Sequence, residues 1–125
     1  MKDKIFLGIQ VISGLMLVVF GSNGFLHFMP MPEPPVEMGT YLGALFATGF
    51  IFPIVATIEL VTGIAYVTNK FAPLMAIILM PIMMNAFLAH LFLDVAGIGA
   101  SMFIVIATIV VIVKNKERYK EIFKA

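Results

Sequence analysis

Residues 79–94 read LMPIMMNAFLAHLFLD, apolar enough for lipid yet carrying Pro81, Asn85, His90 and Asp94. A proline inside a hydrocarbon-embedded helix frees the carbonyl four residues back, here that of Ile77, and bends the axis. Polar side chains at membrane depth are costly and normally point into a bundle or a wet cavity. On a helix His90 and Asp94 stand one turn apart on one face. Asn85 lies roughly 140° around from His90 at about 100° per residue, so the segment presents polar groups to two different neighbours. A lone helix in lipid could not do this, and the segment asks for partner helices.

The rest of the chain supplies them. Of 125 residues, 62% are hydrophobic and only 12% are charged. A soluble domain carries about twice that share of charge, whereas long apolar runs read as membrane spans. Four such runs are expected, at about 5–28, 41–68, 71–93 and 98–113. At 1.5 Å per residue each approaches or exceeds the length that crosses roughly 30 Å of hydrocarbon. The basic start, Lys2 and Lys4, leads into an apolar run too long for a signal peptide and without a small-residue cleavage site, so the first run reads as a retained span. The fold class expected is therefore an all-α, integral membrane four-helix bundle in a single domain.

Charge placement sets the expected orientation. Lys2 and Lys4 precede the first run, Lys70 lies between the second and third, and Lys114, Lys116, Arg118, Lys120 and Lys124 follow the fourth. All eight basic residues thus fall on one side of an alternating four-span path. Glu33, Glu37 and Asp94 fall on the other. The positive-inside rule places both termini in the cytoplasm. Residues 29–40, MPMPEPPVEMGT, are proline-rich and favour a stiff extended connector or a lid over the outer mouth. The tail from Lys114 reads as a continuation of the last helix, its Tyr119, Ile122 and Phe123 forming an apolar edge against anionic headgroups.

Several residues are candidates for chemistry. Glu59 shares a helical face with Thr48, Ala56 and Gly63, and small neighbours let another helix approach. It therefore points into the bundle, as a proton-exchanging or ligand-anchoring group or as an interhelical hydrogen bond. Pro53 is expected to kink that span toward its middle. Asn23, His27, His90 and Asp94 all fall roughly 27–33 Å up their helices, with Glu59 about 14 Å deeper than His90, which suggests a polar path narrowing to one acid. Glu59, Asn85, His90 and Asn23 form the candidate buried site, with His27 and Asp94 at its outer mouth. His90 beside Asp94 suits proton relay; plain anchoring of helix ends is the alternative.

Other classes fall away. With no cysteine there is no disulfide, thiolate nucleophile or iron–sulfur ligand. Two histidines on different helices permit axial haem ligation, but none are paired at metal-binding spacing, so haem is disfavoured and no metal site is assigned. The ten methionines are scattered and read as packing. No phosphate loop, nucleophile elbow or nucleic-acid footprint is present.

FGSNGFLHFMPMP at residues 20–32, IELVTG at 58–63 and PIMMNAFLAHLFLDVAG at 81–97 resemble the DoxX-like family of small bacterial membrane proteins, in the family's order and spacing from about Gln10 to Tyr119. The resemblance implies a four-helix bundle in the bacterial inner membrane. Some relatives are linked to quinone-dependent redox or oxidative-stress complexes, which implies an accessory subunit without catalysis of its own, with quinone as the candidate cofactor. The family offers no agreed catalytic residues to carry over. A larger membrane redox complex or self-association is the expected partnership beyond the bilayer. A proton-coupled carrier or pore, and a structural assembly factor without a ligand, are the alternatives.

Overall fold

The computed structural model describes residues 2–27 and 33–124, and all the regular structure among them is helical. Five α-helices follow in order: α1 (Lys2–Leu26), α2 (Val36–Ala47), α3 (Ile51–Thr68), α4 (Ala72–Leu93) and α5 (Ile98–Lys114). Four are long and apolar enough to cross a membrane: α1, α3, α4, and α5 taken with the preceding 3₁₀ turn Val95–Gly97. The last residue of the first expected span, 28, and residues 29–32 of the proline-rich connector, including Pro30 and Pro32, lie outside the described residues; residues 36–40 of that connector, expected to be extended, are helical.

The second expected span is not one helix. It divides into α2 and α3 at Thr48–Phe50, because Gly49 takes φ +78°, a left-handed conformation that glycine adopts without penalty. Thr48 fixes the break: its Oγ1 donates to Leu45 O at 2.7 Å and accepts from the amides of Phe50 and Ile51. Thr48 is thus a cap at the break and no part of the Glu59 face. Pro53 is the third residue of α3, where its missing N–H breaks no helical bond, so the expected mid-span kink there is absent. Helix α2 also begins at Val36, five residues before the expected start, directly after extended Pro35. Pro81, by contrast, sits inside α4, which runs past it.

Tight packing joins α1 to α3. Gly14 and Gly63 meet so closely that a Cβ on Gly63 would lie 2.7 Å from Gly14 O and 2.8 Å from Val18 N. Gly21 likewise lies against the Ala56–Leu60 backbone. Such close approach is how helices associate in lipid, where apolar surface gives no drive to leave acyl chains. Helix α4 packs chiefly on α5. Leu17, Tyr66, Ala76, Leu79, Ile104 and Val111, from all four long helices, form one buried core. Ile12, Val19, Ile54, Ile64, Ile78 and Ile106 face outward, as a lipid-facing surface requires.

One end of the bundle gathers the basic residues. Gln10 near the start of α1 donates to Asn69 Oδ1 at the end of α3 at 2.9 Å. Tyr119 Oη donates to Pro73 O at the start of α4 at 2.6 Å. The helix does not continue into the tail, contrary to expectation. Asn115 donates to Val111 O at 2.7 Å and stops α5, and Lys116–Tyr119 form a 3₁₀ turn. That turn buries Tyr119 and leaves Ile122 and Phe123 exposed, so the expected apolar edge is split.

Candidate functional site

Glu59 lines a cavity of about 510 Å³ at the end of the bundle away from the lysines. Phe20 and Gly24 reach it from one face of α1, and His27 from the residue just past the end of that helix. Phe52, Pro53, Val55, Ala56 and Glu59 come from α3, and Phe46 and Gly49 from the end of α2 and the break. Because the chain turns at Gly49, Phe46 folds back on Phe52 with ring centroids 6.1 Å apart, within the range of favourable tilted aromatic pairs. Three phenyl rings thus wall a groove with a carboxyl at one place and an imidazole at another.

Glu59 is half-buried and has no hydrogen-bond or ion-pair partner among the described residues. No lysine or arginine lines the cavity. A carboxyl group here can accept a hydrogen bond or, when protonated, donate one, and His27 offers the same choice. His27 is exposed and left-handed at φ 50°, its amide closing α1 onto Asn23 O at 2.9 Å. Apolar walls with a few convergent polar groups are the usual make-up of a small-molecule site.

The remaining sequence candidates do not join this groove. Asn85 is exposed on α4, and its Oδ1 accepts from Tyr41 Oη on α2 at 2.7 Å. His90 Nδ1 stands 3.9 Å from Asp94 Oδ2 and 3.4 Å from Asp94 O. Asp94 lines a second, more open cavity of about 590 Å³ with Glu33, Pro34, Pro35, Ala96 and Gly97. Asn85 and His90 therefore do face two different neighbours, α2 and the turn at residues 94–97. Asn23 is half-buried one turn before His27 and lines neither cavity. Among the described residues no three His, Asp or Glu side chains come together as metal ligands.

Deeper in the bundle lies a buried polar group that reading the sequence for charge does not reveal. Gln10, Ser13, Thr62 and Thr108 are all fully buried. Gln10 Nε2 donates to Tyr66 O at 3.0 Å, and Tyr66 Oη pairs with Thr108 Oγ1 at 2.9 Å. Gln10 Oε1, Ser13 Oγ and Thr62 Oγ1 are buried without a partner among the described residues. The signal available is spacing: Glu59, Thr62, Tyr66 and Asn69 recur at three, four and three along α3.

These features define a class, a helical bundle with four helices fit to cross a membrane and polar groups held inside it. No family model, curated protein or solved structure matches the chain.

Proposed function

We propose that this chain is a DoxX-like protein of the bacterial inner membrane, with both termini cytoplasmic, that binds a small flat amphipathic molecule in the Glu59 groove. In this reading it is an accessory subunit of a quinone-linked redox or oxidative-stress system and has no catalytic set of its own. The observation that carries the reading is the groove: Phe20, Phe46 and Phe52 surround Glu59 and His27 in one cavity. A ring with oxygen at its edge stacks on phenyl walls while a carboxyl or imidazole bonds the oxygen. The gathering of basic residues at the opposite end supports the orientation. Purification in mild detergent, with mass spectrometry of everything that co-elutes, tests it. An isoprenoid quinone or a redox subunit should accompany the wild type, and the quinone should be lost from Glu59→Leu. Wild type eluting with neither would overturn it.

The break at Thr48–Phe50 favours a second reading, a proton-coupled carrier. Discontinuous membrane helices commonly flank transport sites, and this break borders the groove. Substrate flux in reconstituted vesicles that is lost in Glu59→Gln would select the carrier.

A further inference from the structure

We propose that Gln10, Ser13 and Thr62 hold a water-mediated proton relay that connects Glu59 to the basic end of the bundle. The inference rests on the reading of Glu59 as the polar end of a ligand groove and adds the route by which that acid is recharged. Glu59, Thr62, Tyr66 and Asn69 form one stripe along α3. Its upper end opens into the cavity at Glu59, and its lower end is exposed at Asn69, which caps α3 in the left-handed conformation. Between these two openings Thr62 stands on α3, and across from it on α1 stand Gln10, bonded to Tyr66 O, and Ser13, next to the Gly14 that meets Gly63 and Tyr66; each of the three carries an unpartnered oxygen.

Thr62 differs in this from the other described threonines of α3. Thr57 and Thr68, elsewhere on α3, donate to their own helix at Pro53 O and Ile64 O, at 2.7 and 2.8 Å. Thr62 does not. Gln10 is held by two donations from Nε2, to Tyr66 O and Asn69 Oδ1, which leaves Oε1 fixed and buried. Leaving a buried polar atom unsatisfied is costly, and bound water is the common remedy. Waters bonded to these oxygens would chain from Asn69 to Glu59.

A proton entering from water at Asn69 hops along that chain. Each water accepts one proton and passes one on, so only O–H bonds form and break. The proton comes to rest on the Glu59 carboxylate, which releases it to the groove. The titratable groups around Glu59 are His27 across the cavity and Tyr66 two turns along α3.

The test is proton entry into vesicles holding the purified chain and a trapped pH-sensitive dye, driven by a valinomycin potassium potential. Wild type should exceed protein-free vesicles, and Glu59→Gln should not. Thr62→Val should cut the rate by about tenfold or more, as should Ser13→Ala, while Thr62→Ser should restore it. Menadione binding is measured beside each variant, because Thr62 does not line the groove. Thr62→Val that binds menadione but conducts slowly supports the relay. Wild type that binds menadione yet conducts like protein-free vesicles overturns the relay alone, as does Thr62→Val conducting like wild type. Wild type that does neither overturns the groove reading as well.

Discussion

Gly63→Ala is the substitution whose effect the packing fixes most closely. The added Cβ would stand 2.7 Å from Gly14 O, 2.7 Å from Val18 Cγ2 and 2.8 Å from Val18 N. Ordinary contact begins at 3.4 Å, so α1 and α3 must part by 3.4 − 2.7, or 0.7 Å. Two of the three opposing atoms are backbone and cannot rotate away. Overpacking of this kind costs about 1–3 kcal/mol. Against it stands about 0.5–1 kcal/mol gained by removing glycine from a helix interior. The net expectation is a loss of about 1–2.5 kcal/mol, since rigid neighbours place the cost in the upper half of its range. Gly8→Ala is the control. It lies in α1, and a methyl group there would meet nothing within 4 Å, so the propensity gain stands alone. Unfolding in mixed micelles against rising SDS, followed by circular dichroism, measures both. Opposite signs for the two substitutions are expected; Gly63→Ala as stable as wild type would refute the close α1–α3 crossing.

Three further outcomes follow from named contacts. Tyr41→Phe and Asn85→Leu break the α2–α4 bond, and their double-mutant cycle should give a coupling of about 1 kcal/mol or less, with faster amide exchange in α2. Gly49→Ala forces a side chain into the left-handed region, which costs about 1–2 kcal/mol and should weaken ligand binding by moving Phe46. Burial pushes the Tyr119 phenol above its ordinary 10.0, with Arg118 opposing. Its folded value thus exceeds its unfolded one, so tail docking is fully stable below pH 10.0 and is lost as pH climbs through the folded value. A fluorophore on Lys124→Cys should stay ordered until that range, and in Tyr119→Phe it should be mobile at every pH.

The long helices are legible in the sequence because nothing but uninterrupted apolar length is needed to place them. The expected runs at 71–93 and 98–113 lie within a residue of α4 and α5 at every bound. The division of the second run is hidden because hydropathy averages across Thr48–Phe50. What decides it is local: a hydroxyl that caps and a glycine at φ +78°. Pro53 misleads for a related reason, since a proline kinks a helix interior but fits a first turn, and only the break shows which applies.

The candidate site is legible in part. Glu59 stands out because an acid in an apolar run is conspicuous, but its companion in the groove is His27, not Asn85 or His90. That pairing depends on how α1 lies across α3, which the glycine contacts set and spacing alone does not. Neutral Gln10, Ser13 and Thr62 raise no charge signal, and only the folded bundle shows that they are buried with oxygens that no described protein group satisfies.

The claim on which the functional account turns is that the Glu59 carboxyl is the polar end of a ligand groove. Equilibrium binding of menadione to the detergent-solubilised chain, wild type against Glu59→Leu, measures it. Saturable binding is expected, weakened about tenfold when the carboxyl is replaced, the worth of one hydrogen bond in a poorly hydrated site. Equal affinities for the two proteins, or no saturable binding by the wild type, would contradict it.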